Sequence, residues 1–209
     1  MECDKFMMNH QLMFKATPSL LTLALLILSL LPNVAFAHVG IGESIGWAHG
    51  MLHPFLGLDH LCAMLAVGLW AKQMGGRAVW CVPLTFVSVM ALGGLFGIAA
   101  IPLPFIEGGI LLSLLLLGLL VATAIQLPLF MCAVIAAIFA LFHGYAHGAE
   151  MPQSTSGLTY ALGFMLSTAA LHATGIMMAT GLAKIGRPQW LRLIGALIVM
   201  LTGTLYLVS

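Results

Sequence analysis

The segment ILLSLLLLGLLVATAI, residues 110–125, is rich in leucine and carries no charge. It is the centre of one of six apolar runs, and an α-helix needs about 20 such residues to cross a bilayer. The whole chain is 62% hydrophobic and 6% charged, whereas a soluble domain carries about 25% charged residues. Because so few charges cannot cover a water-facing surface, the sequence predicts an all-α, polytopic membrane helix bundle.

Prolines and the few charged residues separate the six runs. The predicted spans cover residues 41–71, 78–101, 107–125 (or 110–125), 128–147, 156–182 and 188–208. The first run is long for one span and is interrupted at Pro54 and Gly57. Since proline removes a helical hydrogen bond, we expect a first helix broken at this point. The run then forms either two half-helices or a helix that lies shallow before it enters the membrane.

The N-terminal residues 1–37 have the three parts of a secretory signal peptide. Lys15 supplies the positive charge, residues 20–31 the apolar core, and Ala35-Phe36-Ala37 the small-residue cleavage site. We expect cleavage after Ala37, which leaves residues 38–209 as the six-helix transmembrane domain. An uncleaved first helix is the alternative. A start later than Met1 also remains open, at Met7, Met8 or Met13.

The positive charges predict the orientation in the membrane. All five Lys and Arg after residue 37 lie in or beside the loops that follow spans one and five: Lys72, Arg77, Lys184, Arg187 and Arg192. Six spans place these two loops on one side, and positive loops are cytoplasmic. The loops after spans two and four carry Glu107 and Glu150 instead. We therefore expect a bacterial inner-membrane protein whose mature termini are both periplasmic.

Ionisable side chains are concentrated in three of these apolar spans, where each costs about 2.5–3.5 kcal/mol on insertion scales and commonly marks function. They are His49, His53, Asp59 and His60 in span one, His143 and His147 with Glu150 at the end of span four, and His172 in span five. On a continuous helix the three histidines of span one fall within about 40° of one another. Both larger sets belong to the outer half of the membrane, so we expect them to meet.

Histidines four residues apart on a helix can both reach one metal ion. Imidazole and carboxylate, without a thiolate, favour nickel, cobalt, zinc or manganese over copper(I), and so many histidines argue against alkali and alkaline-earth ions. Asp59 either binds the ion or orients a neighbouring histidine. His172 is either a ligand or a hydrogen-bonded core residue. Possible additional ligands are His38, whose amine would become free on cleavage, and His49.

Several other functions are excluded by what the sequence lacks. The motifs HExxH, HxxEH and GxSxG are absent, so we predict that the chain is not an enzyme. There is no P-loop for ATP hydrolysis and no basic tract for nucleic acid. What remains is a permease for a divalent metal, or a metal-binding sensor or accessory subunit that does not transport.

Two segments resemble the signatures of the HupE/UreJ family of nickel and cobalt permeases. Residues 53–60, HPFLGLDH, match HPxxGxDH, and residues 142–150, FHGYAHGAE, match FHGxAHGxE. The resemblance covers the whole chain, and neither motif departs from the family pattern. By this resemblance the functional set is His53, Asp59, His60, His143, His147 and Glu150.

The resemblance implies secondary uptake of nickel, or of cobalt in some members, with the metal as cargo and no resident cofactor. The metal would serve hydrogenase, urease or cobalamin pathways, so their metal-delivery proteins are possible partners. The lipid bilayer is the other expected contact, a homo-oligomer stays open, and no nucleic acid is expected. Nickel is the first expectation and cobalt the second.

Overall fold

The computed structural model describes residues 46–151 and 156–208. The predicted signal peptide, its cleavage site and His38 lie outside these ranges. The described residues form seven α-helices and one 3-10 turn, without a β-strand. The elements are α1 (Gly46–Leu52), the 3-10 turn (His53–Phe55), α2 (Leu58–Met74), α3 (Ala78–Ile98), α4 (Ile106–Thr123), α5 (Leu129–Ala149), α6 (Gly157–Lys184) and α7 (Gln189–Val208).

Five of these helices, α3 to α7, are each long and apolar enough to cross a membrane. The pair formed by Gly46–Phe55 and Leu58–Met74 makes a sixth span if it is counted as one. The helical, multi-pass architecture predicted from the sequence is therefore confirmed. The boundaries agree within a few residues, and α2 continues to Met74 rather than ending at Ala71.

The two parts of the first span meet at an angle of 79°. Pro54 lies in the 3-10 turn, and Gly57 precedes α2 with an extended backbone, φ −103° and ψ 125°. A shared face for His49, His53 and His60 would require a continuous helix, and the bend between His53 and His60 removes that condition. The histidines of this span reach the bundle interior from two differently directed segments.

Helices α3 and α5 pack with their backbones in contact because both carry glycines along the interface. A Cβ atom added to Gly144 would collide with the carbonyl of Met90, and one added to Gly148 with the carbonyl of Gly94. On the other side, a Cβ on Gly93 would meet the carbonyl of Leu141. The glycines thus allow the two helix backbones to approach closely.

Helix α6 approaches the first span in the same way. A Cβ on Gly68 of α2 would collide with the carbonyl of His172, and one on Gly50 of α1 with the carbonyl of Tyr160. Helix α2 is the central helix: it packs against α3, α4 and α6, and the side chains from Ala66 to Ala71 are buried. The large apolar side chains on the outer helices are exposed, as expected where lipid replaces water.

The loops predicted to be cytoplasmic come together at one end of the bundle. They surround a cavity of about 460 Å³ whose lining includes Lys72 and Gln73 in the last turn of α2, Gln126 before α5, and Gln189 and Arg192 at the start of α7. The bundle thus has a cavity lined by two positively charged side chains at this end, and His143 and His147 lie towards the other end of α5.

Candidate metal site

Four histidines from the first span and α5 form a continuous row, which we call the histidine row: His53, His147, His60 and His143. Ring centroids are 4.7 Å apart for His53 and His147, 4.4 Å for His147 and His60, and 5.1 Å for His60 and His143. The two sets of side chains predicted to meet are therefore adjacent, and His147 touches histidines on both sides of the 79° bend.

The outer end of the row includes a carboxylate. Nε2 of His53 lies 3.4 Å from Oε2 of Glu150. His53, His147 and Glu150 each offer one ligand atom, and these atoms all lie within 4.8 Å of one another. The Glu150 side chain is 58% exposed, so an ion can reach this end from water. Two imidazoles and a carboxylate form a donor set suited to a divalent transition metal.

The two histidines at the inner end of the row, His60 and His143, are each oriented by a hydrogen bond from Nδ1. Nδ1 of His143 donates to the carbonyl of Phe139 at 2.9 Å, which leaves Nε2 with the free lone pair. Nδ1 of His60 lies 3.2 Å from Oδ1 of Asp59, which as a carboxylate accepts the bond. Metal-binding histidines are oriented in this way, with one nitrogen bonded to a carbonyl or carboxylate and the other facing the ion.

The free nitrogens of the row are buried without partners. Nε2 of His60, Nε2 of His143 and both ring nitrogens of His147 have no hydrogen-bond partner among the described residues. His143 is 0% exposed and His147 is 3% exposed. Each unsatisfied buried polar group costs about 1–3 kcal/mol, and native proteins contain few of them. Several orphaned nitrogens side by side are what a site built for a ligand requires.

Aromatic side chains of α6 close one side of the row. The Phe164 ring lies 4.0 Å from that of His147, and the Tyr160 ring lies 6.0 Å from those of His49 and His53. The sequence analysis missed both residues. Their one sequence signal is the spacing of four residues, which places Tyr160 and Phe164 on one face of α6 with stacked rings.

Two further predicted residues lie near the row without joining the group at its outer end. The His49 ring is 5.9 Å from that of His53, beside Tyr160. His172 lies on the other side of Phe86, whose ring is 5.7 Å from His143 and 5.2 Å from His172. The structure therefore brings together His53, Asp59, His60, His143, His147 and Glu150, with His49 at the edge and His172 beyond.

Fold and site together define the class: a multi-pass helical membrane protein with a buried row of histidines suited to a transition metal. The chain belongs to the HupE/UreJ family, because the family model described as "HupE / UreJ protein" matches residues 25–205. It is 47% identical over 166 residues to Protein HupE of Rhizobium leguminosarum bv. viciae, an alignment that covers 79% of this chain and 83% of that protein. No solved structure matches the chain. Membership of this family agrees with the prediction that the chain is not an enzyme.

Proposed function

We propose that the chain is a permease that imports a divalent transition metal across the bacterial inner membrane, with nickel as the first candidate and cobalt as the second. The observation that carries the proposal is the row of buried imidazole nitrogens without partners, which leads inward from an exposed carboxylate. The resemblance of both motifs to those of nickel and cobalt permeases supports the same cargo.

Capture takes place at the outer end of the row. Glu150 is exposed and negatively charged, so it attracts a cation from the periplasm to His53 and His147. The orientation with periplasmic termini, inferred from the positive charges, puts this end outside. Ligand histidines must be neutral to bind a metal, so protons compete with the ion at this step.

Transfer inward takes place by exchange of one imidazole for another. His147 is adjacent to His53 on one side and to His60 on the other, so it belongs to both the outer and the inner ligand set. His60 and His143 then hold the ion, with Nε2 of each facing it. Asp59 orients His60 through Nδ1 and adds negative charge beside the ion. Overlapping sets of few ligands keep binding weak enough for release, which permeation requires.

Purified protein in liposomes that enclose a metal-sensitive dye tests the proposal. We expect nickel, and more slowly cobalt, to enter with the wild type, and His143→Ala to abolish entry of both. The matched control is Thr202→Ala, which removes another buried polar side chain, one that bonds only its own helix α7. Entry should be unchanged in the control.

Two outcomes of the liposome experiment would contradict the permease proposal. If the wild type binds nickel tightly but none enters, the chain is a sensor or an accessory subunit. If His143→Ala transports like the wild type, ions do not pass along the histidine row.

A further inference from the structure

His172 is a buried imidazole that the histidine row does not use. It is 1% exposed, and neither of its ring nitrogens has a hydrogen-bond partner among the described residues. A neutral imidazole offers one donor and one acceptor, so His172 leaves both unsatisfied in an apolar interior. The same feature marks His147 in the row, which points to a ligand at His172 as well.

Two further donors lie one helical turn from His172 and from its neighbour Phe86. Thr168 lies four residues before His172 on the same face of α6 and is 0% exposed. Among the described residues its hydroxyl bonds only the thioether of Met90, at a long 3.8 Å, so the hydroxyl oxygen keeps its lone pairs free. Met90 is itself 2% exposed. Imidazole nitrogen, hydroxyl oxygen and thioether sulfur thus occur together in an otherwise apolar region.

His172 also lies between the histidine row and the cavity at the other end of the bundle. It follows Phe164, which packs on His147, by eight residues, or about 12 Å along α6. Seven residues later, after about 10 Å, Ala179 lines the cavity of about 460 Å³. An ion that leaves the row for this cavity has to pass this level of the bundle.

We propose that His172, with Thr168 and Met90, forms a second metal position, deeper than the histidine row and separated from it by Phe86. The proposal rests on the proposed function, since it assigns the next position of the same divalent transition metal. One nitrogen, one neutral oxygen and one thioether hold such an ion more weakly than imidazoles with a carboxylate. The inner position is therefore the weaker of the two.

Equilibrium dialysis with nickel chloride, on the full chain in nanodiscs, tests this. We expect the wild type to show a tight and a weak class of sites. His172→Phe should lose the weak class and keep the tight one, and Thr168→Val should weaken the weak class only. Ser167→Ala is the matched control, because its hydroxyl, also buried in α6, already bonds backbone carbonyls of α6. It should retain both classes.

Retention of the tight class by His172→Phe shows that this variant is folded. An isotherm for His172→Phe and Thr168→Val that equals the wild-type isotherm would overturn the proposal, as would a single class in all proteins. Loss of both classes in Thr168→Val would overturn it too. The dialysis experiment measures binding and does not depend on transport. A failure of the permease proposal is detected separately, because nickel would then not enter liposomes that contain the wild type.

Discussion

The contacts of the single residue His147 show that the residues of the candidate site depend on one another. Its ring lies between His53 and His60 and against Phe164, and its own nitrogens have no hydrogen-bond partner among the described residues. Without an ion, the apolar contacts must offset these unsatisfied groups, each worth about 1–3 kcal/mol. In the site we propose, an ion gives one nitrogen its partner. We therefore expect added nickel to raise the thermal stability of the protein.

Asp59 provides the first prediction at this scale. Replacing Asp59 by Asn keeps the shape of the side chain but removes the charge that accepts from Nδ1 of His60. Loss of such an orienting partner lowers metal affinity or activity about 10–100-fold. We expect nickel titration of Asp59→Asn to show a tight class weakened by about this factor, with the stoichiometry unchanged. Wild-type affinity in the variant would show that the carboxylate has no role in the site.

The sequence predicted the chemistry of single residues better than their surroundings. The cost of burying His or Asp in an apolar span is visible in sequence, and it singled out the histidines and Asp59 that the structure brings together. Glu150 lies just beyond its span and was selected by its spacing from His143 and His147 and by the family resemblance. Phe86, Tyr160 and Phe164 could not be selected in this way, because aromatic residues are ordinary members of apolar spans. Nor could the bond from His143 to the carbonyl of Phe139, which depends on a side-chain rotamer.

At the scale of the helices, the site depends on how closely α5 approaches its neighbours. Gly144 and Gly148 lie on either side of His147 in the sequence, and both contact the backbone of α3. Small residues at such interfaces allow membrane helices to approach within van der Waals distance. The glycines of the FHGxAHGxE motif thus position the helix, while its histidines and glutamate belong to the candidate metal site.

Gly148→Ala tests this role of the motif. The new methyl group would collide with the carbonyl of Gly94, a rigid neighbour, so α5 has to move away from α3. Overpacking of this kind costs about 1–3 kcal/mol. We expect a lower unfolding temperature in detergent and slower nickel entry into liposomes.

The control is a glycine-to-alanine substitution on the opposite helix of the same interface, at Gly94 of α3. A Cβ on Gly94 would lie 3.5 Å from the carbonyl oxygen of Gly144, an ordinary contact, so Gly94→Ala should keep both stability and transport. If Gly148→Ala behaves like Gly94→Ala, close packing of α3 and α5 is not what positions His147.

The span boundaries were predictable because hydropathy and proline mark them, but the bend was not predictable in detail. Pro54 and Gly57 indicate an interruption, whereas the 79° angle depends on the packing of α1 against α6 and of α2 inside the bundle. The central position of α2 could not be predicted from the sequence either. Lipid-facing and buried helices are equally apolar in a membrane, so hydropathy does not separate them.

At the scale of the whole molecule, the row and the cavity lie towards opposite ends of the bundle. Glu150 is the exposed carboxylate at the outer end of the row. Lys72 and Arg192 line the cavity of about 460 Å³ at the other. In the permease that we propose, the negative end is the entrance and attracts a divalent cation, and the positive end is the exit and disfavours its return. The charge distribution thus favours one direction of permeation, provided that the positive end faces the cytoplasm.

Single cysteines labelled by a membrane-impermeant maleimide test this orientation. Gln126 is exposed in the loop before α5 and lines the cavity, and Ile101 is exposed in the loop after α3. In a variant without the native cysteines, Ile101→Cys should be labelled in intact spheroplasts, because the proposed orientation places its loop in the periplasm. Gln126→Cys should be labelled only after permeabilisation. The opposite pattern would place Glu150 in the cytoplasm, and the histidine row would then be the exit of the pathway, or the entrance of an exporter.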